Sequence, residues 1–246
     1  MKLHKKFIIV EGIDGAGKGV VTNTIANFLS KKSKGLLDLR KKDADLRKKS
    51  EDFFRKYKII LTCEPTCHGT GKDLRNKILK NLTRYTARQV AKKFADDRDA
   101  LYKKVLIPAL KKGLIVVQDR SVVSSFVYQI NQAIKNKEKL TIEDIKRMNK
   151  IALSNFPGLI IVQNVDPQIA YLRLHKRKGK QDETDFEKID ALRKNSLGYK
   201  NREWREIFEK KGTEIRDLDC NLGVNNVKRN VIAMLKKYLN KNKIND

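Results

Sequence analysis

The chain has 246 residues, enough for one large domain or two small ones around a real apolar core, and it is read as one. Lysine and arginine number 56 against 29 acidic residues, a formal net charge of +27 that favours anionic substrates or polyanionic partners. The three cysteines lack framework spacing and argue against a disulfide-stapled secreted domain; no apolar run approaches the ~18 residues a bilayer span needs, and the basic start leads into a strand rather than a signal-peptide core.

The expected location is therefore cytoplasmic, in soluble form. Cys63, Cys67 and His68 lie close together, but no second Cys/His pair follows at zinc-finger spacing.

In chain order, the runs "FIIV" (7–10), "KIILT" (58–62), "LIVVQD" (114–119), "LIIVQNV" (159–165) and "EIRDLD" (214–219) have the length and branching of buried strands. The segments between them are mostly long enough for crossover helices. That alternation predicts an α/β fold, a five-stranded parallel sheet with helices on both faces and ligands at the carboxyl ends of the strands. Residues 31–57 break the rhythm: the stretch is very basic, and Leu39, Leu46 and Phe53 recur every seventh position, which predicts a solvated helical insertion packed by a narrow apolar stripe. A polyanion-binding arm is the other reading of this segment.

The first strand runs into "EGIDGAGKG". Gly12, four residues, then Gly17-Lys18 form the core of a phosphate-binding loop, between a strand and a helical pattern as such a loop requires. Gly12, Gly15, Gly17 and Gly19 let backbone N–H groups curl around phosphate oxygens, the helix N-terminus adds positive potential, and Lys18 reaches the outer phosphates. Gly19 and Val20, however, stand where a magnesium-binding serine or threonine is expected. Thr22 is the nearest hydroxyl, ~4.5 Å further along the helix.

This opening resembles that of the thymidylate kinases, and the resemblance continues through "TCEPTCHGTGKDLR" (62–75), "FADDRDALYKKVLIPALKKG" (94–113), "QDRSVVSSFVYQ" (118–129) and "NVDPQIAYLRLHKRKGKQDETDFE" (164–187). It covers most of the chain apart from 31–57. The resemblance implies a three-layer α/β/α P-loop kinase fold with a helical lid at about 173–187. It also implies transfer of the γ-phosphate of ATP to dTMP with Mg2+, and a homodimer. Phe94 would stack on the base and Arg98 contact the nucleotide; Tyr128 would lie near the sugar, Ser125 and Gln129 near the base, and Glu64 near the acceptor or metal.

The residues support this chemistry independently. Phe94 and Arg98 project from one helix face. Asp119 and Arg120 end the third of the predicted strands, where a carboxylate can hold magnesium and a guanidinium can grip a phosphate. With no hydroxyl at position 19, the metal is expected to be held mostly by ATP and water, with Asp14 and Asp119 in support. Arg173 and Arg177, spaced i, i+4, and Lys178 and Lys180 around Gly179 form a basic lid able to close over ATP. The catalytic set expected is thus Lys18, Asp14, Arg120, Arg177 and Lys180.

Departures from the family pattern are informative. Neither Gly15 nor Glu183 is the arginine that many thymidylate kinases carry at one of these positions. Ser121 replaces a tyrosine, and Cys63 an arginine before Glu-Pro, which bears on substrate preference. Two further readings stand beside the dTMP kinase: a kinase for another or several nucleoside monophosphates, and a non-catalytic basic P-loop protein that binds nucleic acid.

Overall fold

The computed structural model describes residues 1–31, 35–40, 54, 56–176 and 186–244. In chain order the elements are β1 (Lys2–Gly12), α1 (Lys18–Ser30), β2 (Leu36–Asp38), β3 (Ile59–Cys63), α2 (Gly69–Asp73), α3 (Ala87–Leu101), α4 (Ile107–Lys111), β4 (Ile115–Asp119), α5 (Val122–Asn136), α6 (Ile142–Met148), β5 (Asn155–Asn164), α7 (Pro167–His175), α8 (Ile189–Lys200), α9 (Arg202–Glu209), β6 (Glu214–Asp219) and α10 (Val224–Lys241).

The sheet is six-stranded, in the order β2-β3-β4-β1-β5-β6, and every neighbouring pair is parallel. Its central strands read as continuous apolar runs because helices cover both faces. Phe7, Ile8, Val116, Val117, Ile160 and Ile161 have no exposed surface, and burying each such side chain contributes about 1.5–3 kcal/mol. The chain leaves β1 toward β3 and β2 on one side, and leaves β4 toward β5 on the other. The order therefore reverses between β1 and β4, opening a crevice at their carboxyl ends.

The sixth strand corrects the expected five. Leu36–Asp38 pairs with Ile59–Leu61 at the sheet edge, inside the segment expected to be a helical insertion. Leu39, assigned to a helix stripe, is instead buried just past this strand; Leu46 and Phe53 lie outside the described residues. A three-residue edge strand with one buried side chain carries too short a pattern to stand out among lysines. Among the described residues, no helix is long and apolar enough to cross a membrane.

Candidate active site

The phosphate loop leaves β1 at Gly12 and enters α1 at Lys18. Gly17, in the left-handed region at φ 93°, caps the helix without a side-chain bond, so the first-turn N–H groups face the loop with no side chain to satisfy them. At Gly15 (φ 80°) a Cβ would come 2.3 Å from the carbonyl oxygen of Ala170, so no side chain fits at this position unless the backbone moves. Lys18 Nζ donates to the carbonyls of Gly12 (3.1 Å) and Ile13 (2.9 Å). Burial and the neighbouring Arg120 lower its pKa to about 8, against the pull of Asp14 and Asp119.

Gly19 is exposed, and a Cβ there would meet nothing within 4 Å. The Thr22 hydroxyl turns back to the carbonyls of Lys18 (3.0 Å) and Gly19 (3.2 Å) and accepts from Arg40 (2.9 Å). It does not replace the missing hydroxyl.

Across the crevice, parallel pairing sets Asp119 beside both Val10 and Cys63. Asp119 Oδ1 is buried without a hydrogen-bond partner. The next residue, Arg120, turns out of the strand at φ 68°, and its guanidinium reaches Asp14 (2.5 Å), Tyr128 Oη (3.2 Å), Ser124 Oγ (3.2 Å) and Tyr199 Oη (3.5 Å). Tyr128 donates to the second oxygen of Asp14 at 3.1 Å. Burial raises the Asp14 carboxyl, but Arg120 and Lys18 outweigh it and hold the group below its ordinary value. The expectation placed Asp14 at the metal and Arg120 at the acceptor phosphate; the fold pairs them with each other, because neither charge is well solvated at the crevice floor.

Beneath this pair lies a carboxylate the sequence reading missed. Glu11, 0% exposed, accepts from Ser121 (2.7 Å), Ser124 (2.8 Å) and Tyr199 (2.9 Å). Burial pushes its carboxyl up, opposed by Arg120 and the three hydroxyls. Ser121 thus has a positioning role: it caps α5 by accepting from the N–H of Val123 (3.2 Å) and ties Glu11 in place. A lone acid after "FIIV" is the one signal for Glu11; Tyr199, 188 residues away, has none.

The acceptor side is built on α3 and α5. Thr86 and Gln89 form a capping box that starts α3, which carries Phe94 and Arg98 to the cavity. Arg98 is 1% exposed. It pairs with Glu64 at 2.6 Å, Asn149 at 2.5 Å and Ser125 at 3.4 Å, while Gln118 donates to the other Glu64 oxygen at 2.8 Å. Burial pushes Glu64 up to about 7, with Arg98 holding it back. Both oxygens of Glu64, expected near the acceptor or metal, are engaged within the protein, by Arg98 and Gln118. Phe94 packs beside Leu74, Ile78, Leu82 and Val90 while also lining the cavity. Cys63 lines it too; a hydrogen bond with the Cys67 thiol and burial push its own thiol up, and Arg75 donates to its sulfur at 3.4 Å. A guanidinium thus stands beside Cys63 at the cavity wall.

One cavity of about 700 Å³ joins these parts: Gly15, Lys18 and Gly19 at one end, and Phe94, Arg98, Ser125, Tyr128 and Gln129 at the other, with Asp119 and Arg120 between. Among the described residues no three His, Cys, Asp or Glu side chains converge to hold a metal. A magnesium ion would take the orphaned Asp119 oxygen and draw its other ligands from phosphates and water, which suits its preference for one or two carboxylates. Asp14 has both oxygens occupied. Arg177 and Lys180 lie outside the described residues; Arg173, at the end of α7, donates to the Cys220 carbonyl at 2.9 Å.

The family described as thymidylate kinase matches residues 44–231. The thymidylate kinase of Caldicellulosiruptor saccharolyticus is 32% identical over 207 residues, 83% of this chain and 85% of that protein. Probable thymidylate kinases of Thermococcus onnurineus and Pyrococcus abyssi are each 27% identical, over 95% of this chain and 98% and 97% of theirs. The crystal structure of thymidylate kinase from Ehrlichia chaffeensis shares the fold, with a TM-score of 0.59 at 20% identity over 94% of this chain and 97% of that one. On the strength of the match to more than half of its length and of the relative at 32% identity, the chain belongs to the thymidylate kinase family.

Proposed function

We propose that this protein transfers the γ-phosphate of ATP to dTMP, giving ADP and dTDP. The observation that carries the reading is the single cavity linking the phosphate loop to Phe94, Arg98, Ser125 and Gln129. An oxygen of the acceptor 5′-phosphate attacks the γ-phosphorus, and the bond to the β–γ bridging oxygen breaks with its electron pair leaving on ADP. Loop N–H groups and Lys18 hold the donor phosphates; Lys18 exchanges the Gly12 and Ile13 carbonyls for phosphate oxygens. Arg120 exchanges Asp14 for the acceptor phosphate, and the Glu11, Ser124 and Tyr199 network orients it. Phe94 stacks on the base, with Arg98, Ser125 and Gln129 at its edge and Tyr128 at the sugar. Asp119 would hold Mg2+, which when bound neutralises charge on the transferring phosphates. Arg177 and Lys180 keep the lid role their sequence suggests, adding positive charge over the γ-phosphate.

The test is ADP formation from ATP and magnesium with dTMP, dUMP, dGMP, dCMP, dAMP and UMP side by side. Preference for dTMP supports the reading. Preference for another acceptor retains the mechanism and overturns the substrate. No turnover, together with steeply salt-dependent binding to DNA or RNA, establishes instead the basic P-loop binder that the +27 charge suggests. A homodimer in the cytoplasm belongs to the same proposal; light scattering measures the assembly.

A further inference from the structure

We propose that Arg40, which lies outside the stretches that resemble thymidylate kinases, is a positioning residue of the donor site: it ties the first turns of α1 to the edge of the sheet and so aims the phosphate-loop N–H groups and Lys18 at the donor phosphates. The role rests on the proposed function, in which the loop holds ATP.

Arg40 follows β2 by two residues, at the carboxyl end of the edge strand and thus at the same end of the sheet as the phosphate loop. The N–H of Leu39 prolongs the strand pairing by donating to the Leu61 carbonyl at 2.9 Å, and the Cys67 thiol donates to the Arg40 carbonyl at 3.0 Å. The backbone here is thereby fixed by the sheet on one side and by the loop after β3 on the other.

The guanidinium divides its donors between two elements. Nε and Nη2 form a fork on Asp38, at 2.9 and 2.7 Å, within its own strand. Nη1 donates to the Thr22 hydroxyl at 2.9 Å and Nη2 to the Asn23 side-chain oxygen at 2.6 Å, both on α1. Thr22 is fully buried and carries the tie onward, because its hydroxyl hydrogen turns to the carbonyls of Lys18 (3.0 Å) and Gly19 (3.2 Å). Asp119 is near enough to act on the guanidinium electrostatically, which sets the group on the crevice side of α1.

The first turn of α1 has little else to hold it. Gly17 caps the helix without a side-chain bond, and Gly19 follows Lys18 directly, so the phosphate-binding lysine stands between two glycines. Glycine is among the residues least restrained in a helix. An arginine serving the edge strand alone would be satisfied by Asp38; the two bonds to α1 exceed that role.

The test separates the helix tie from the strand pair. Thr22→Val with Asn23→Ala removes both acceptors on α1 and leaves Arg40 on Asp38, whereas Arg40→Met removes the two connections together. ATP with magnesium, and dTMP separately, are titrated by calorimetry beside steady-state rates, with thermal denaturation confirming that each variant is folded. The helix-side double variant should weaken ATP binding and raise the ATP KM about tenfold, while kcat falls less than about threefold. Its dTMP affinity should stay within about twofold of wild type, since the acceptor side is built on α3 and α5. Arg40→Met should act alike, and joining it to the double variant should add less than about a further twofold, because the three side chains work as one unit. If Arg40→Met fails to fold, the double variant still decides. ATP affinity within about twofold of wild type in the folded double variant, equal losses of ATP and dTMP affinity, or effects that multiply in the triple variant would overturn the proposal. A wild-type protein that binds ATP without phosphorylating dTMP would overturn the proposed reaction alone, the ATP titrations still judging Arg40; one that binds no ATP would overturn both.

Discussion

Restoring a hydroxyl at position 19 tests how the site holds magnesium. Gly19 is exposed in the first turn of α1, and a Cβ there meets nothing within 4 Å, so Gly19→Ser brings no clash. Serine in a helix is favoured over glycine by roughly 0.5 kcal/mol, which for a chain of this size raises Tm by about 1–2 °C. A hydroxyl bound to the cation adds about 1.5 kcal/mol, the low end for bonds to charged groups. The Mg2+ concentration for half-maximal turnover should then fall about tenfold. Asp119→Asn is the opposite perturbation: it keeps the shape of the side chain and removes the charge from the carboxylate whose Oδ1 is unpartnered. Its magnesium requirement should rise about tenfold, and the double variant should return toward wild type. The assay is the initial rate of ADP formation with ATP and dTMP held saturating while Mg2+ is varied. A shift of less than about twofold in Asp119→Asn, equivalent to under ~0.4 kcal/mol, would refute the assignment of Asp119.

Gly15→Arg, which would copy the loop arginine of some relatives, should abolish ATP binding and lower Tm rather than help catalysis. Its Cβ would sit 2.3 Å from the Ala170 carbonyl oxygen at φ 80°, as thermal denaturation and ATP titration will reveal. Lys18, lowered to about 8 in the free protein, should regain its proton against phosphate oxygens. ATP binding at about pH 9 should take up a proton, seen as a buffer-dependent calorimetric enthalpy that Lys18→Met removes. The same depressed value means that this group's contribution to the free fold improves as pH rises from about 8 toward 10.5. Arg98→Met should cost about 3–5 kcal/mol by stranding the buried Glu64, and adding Glu64→Gln should recover part of it in urea denaturation. Tyr199→Phe, which removes a hydroxyl shared by Glu11 and Arg120, should cost about 1 kcal/mol and raise the acceptor KM more than it lowers kcat.

What was legible in the sequence follows from how locally each feature is encoded. The buried strands announce themselves through continuous apolar runs, and the phosphate loop through glycines that one turn requires; both lie within about a dozen residues. Strand β2 is too short for periodicity to register, and of the sevenfold set Leu39, Leu46 and Phe53 only Leu39 is among the described residues, just past that strand. Partnerships were not legible at all. Asp14 and Arg120 are 106 residues apart, Glu64 and Arg98 34, Glu11 and Tyr199 188; the strand order brings them together, and no spacing rule reports it.

The sequence reading assigned each charge to a substrate or an ion, whereas the folded chain first satisfies its charges with one another. Lys18 rests on two carbonyls, Arg120 on Asp14 and Arg98 on Glu64. This is the expected outcome where charges are largely buried from water, because an unpaired buried charge costs more than a pair. Substrate binding there is an exchange of partners, and each phosphate oxygen competes with a protein oxygen already in place. Among the described residues, a carboxylate that stands outside this pattern is Asp119, whose buried Oδ1 has no protein partner. A carboxylate oxygen left unpaired amid such pairing fits the proposal that a cation arriving with the substrate is held there, in place of the serine or threonine that the loop lacks.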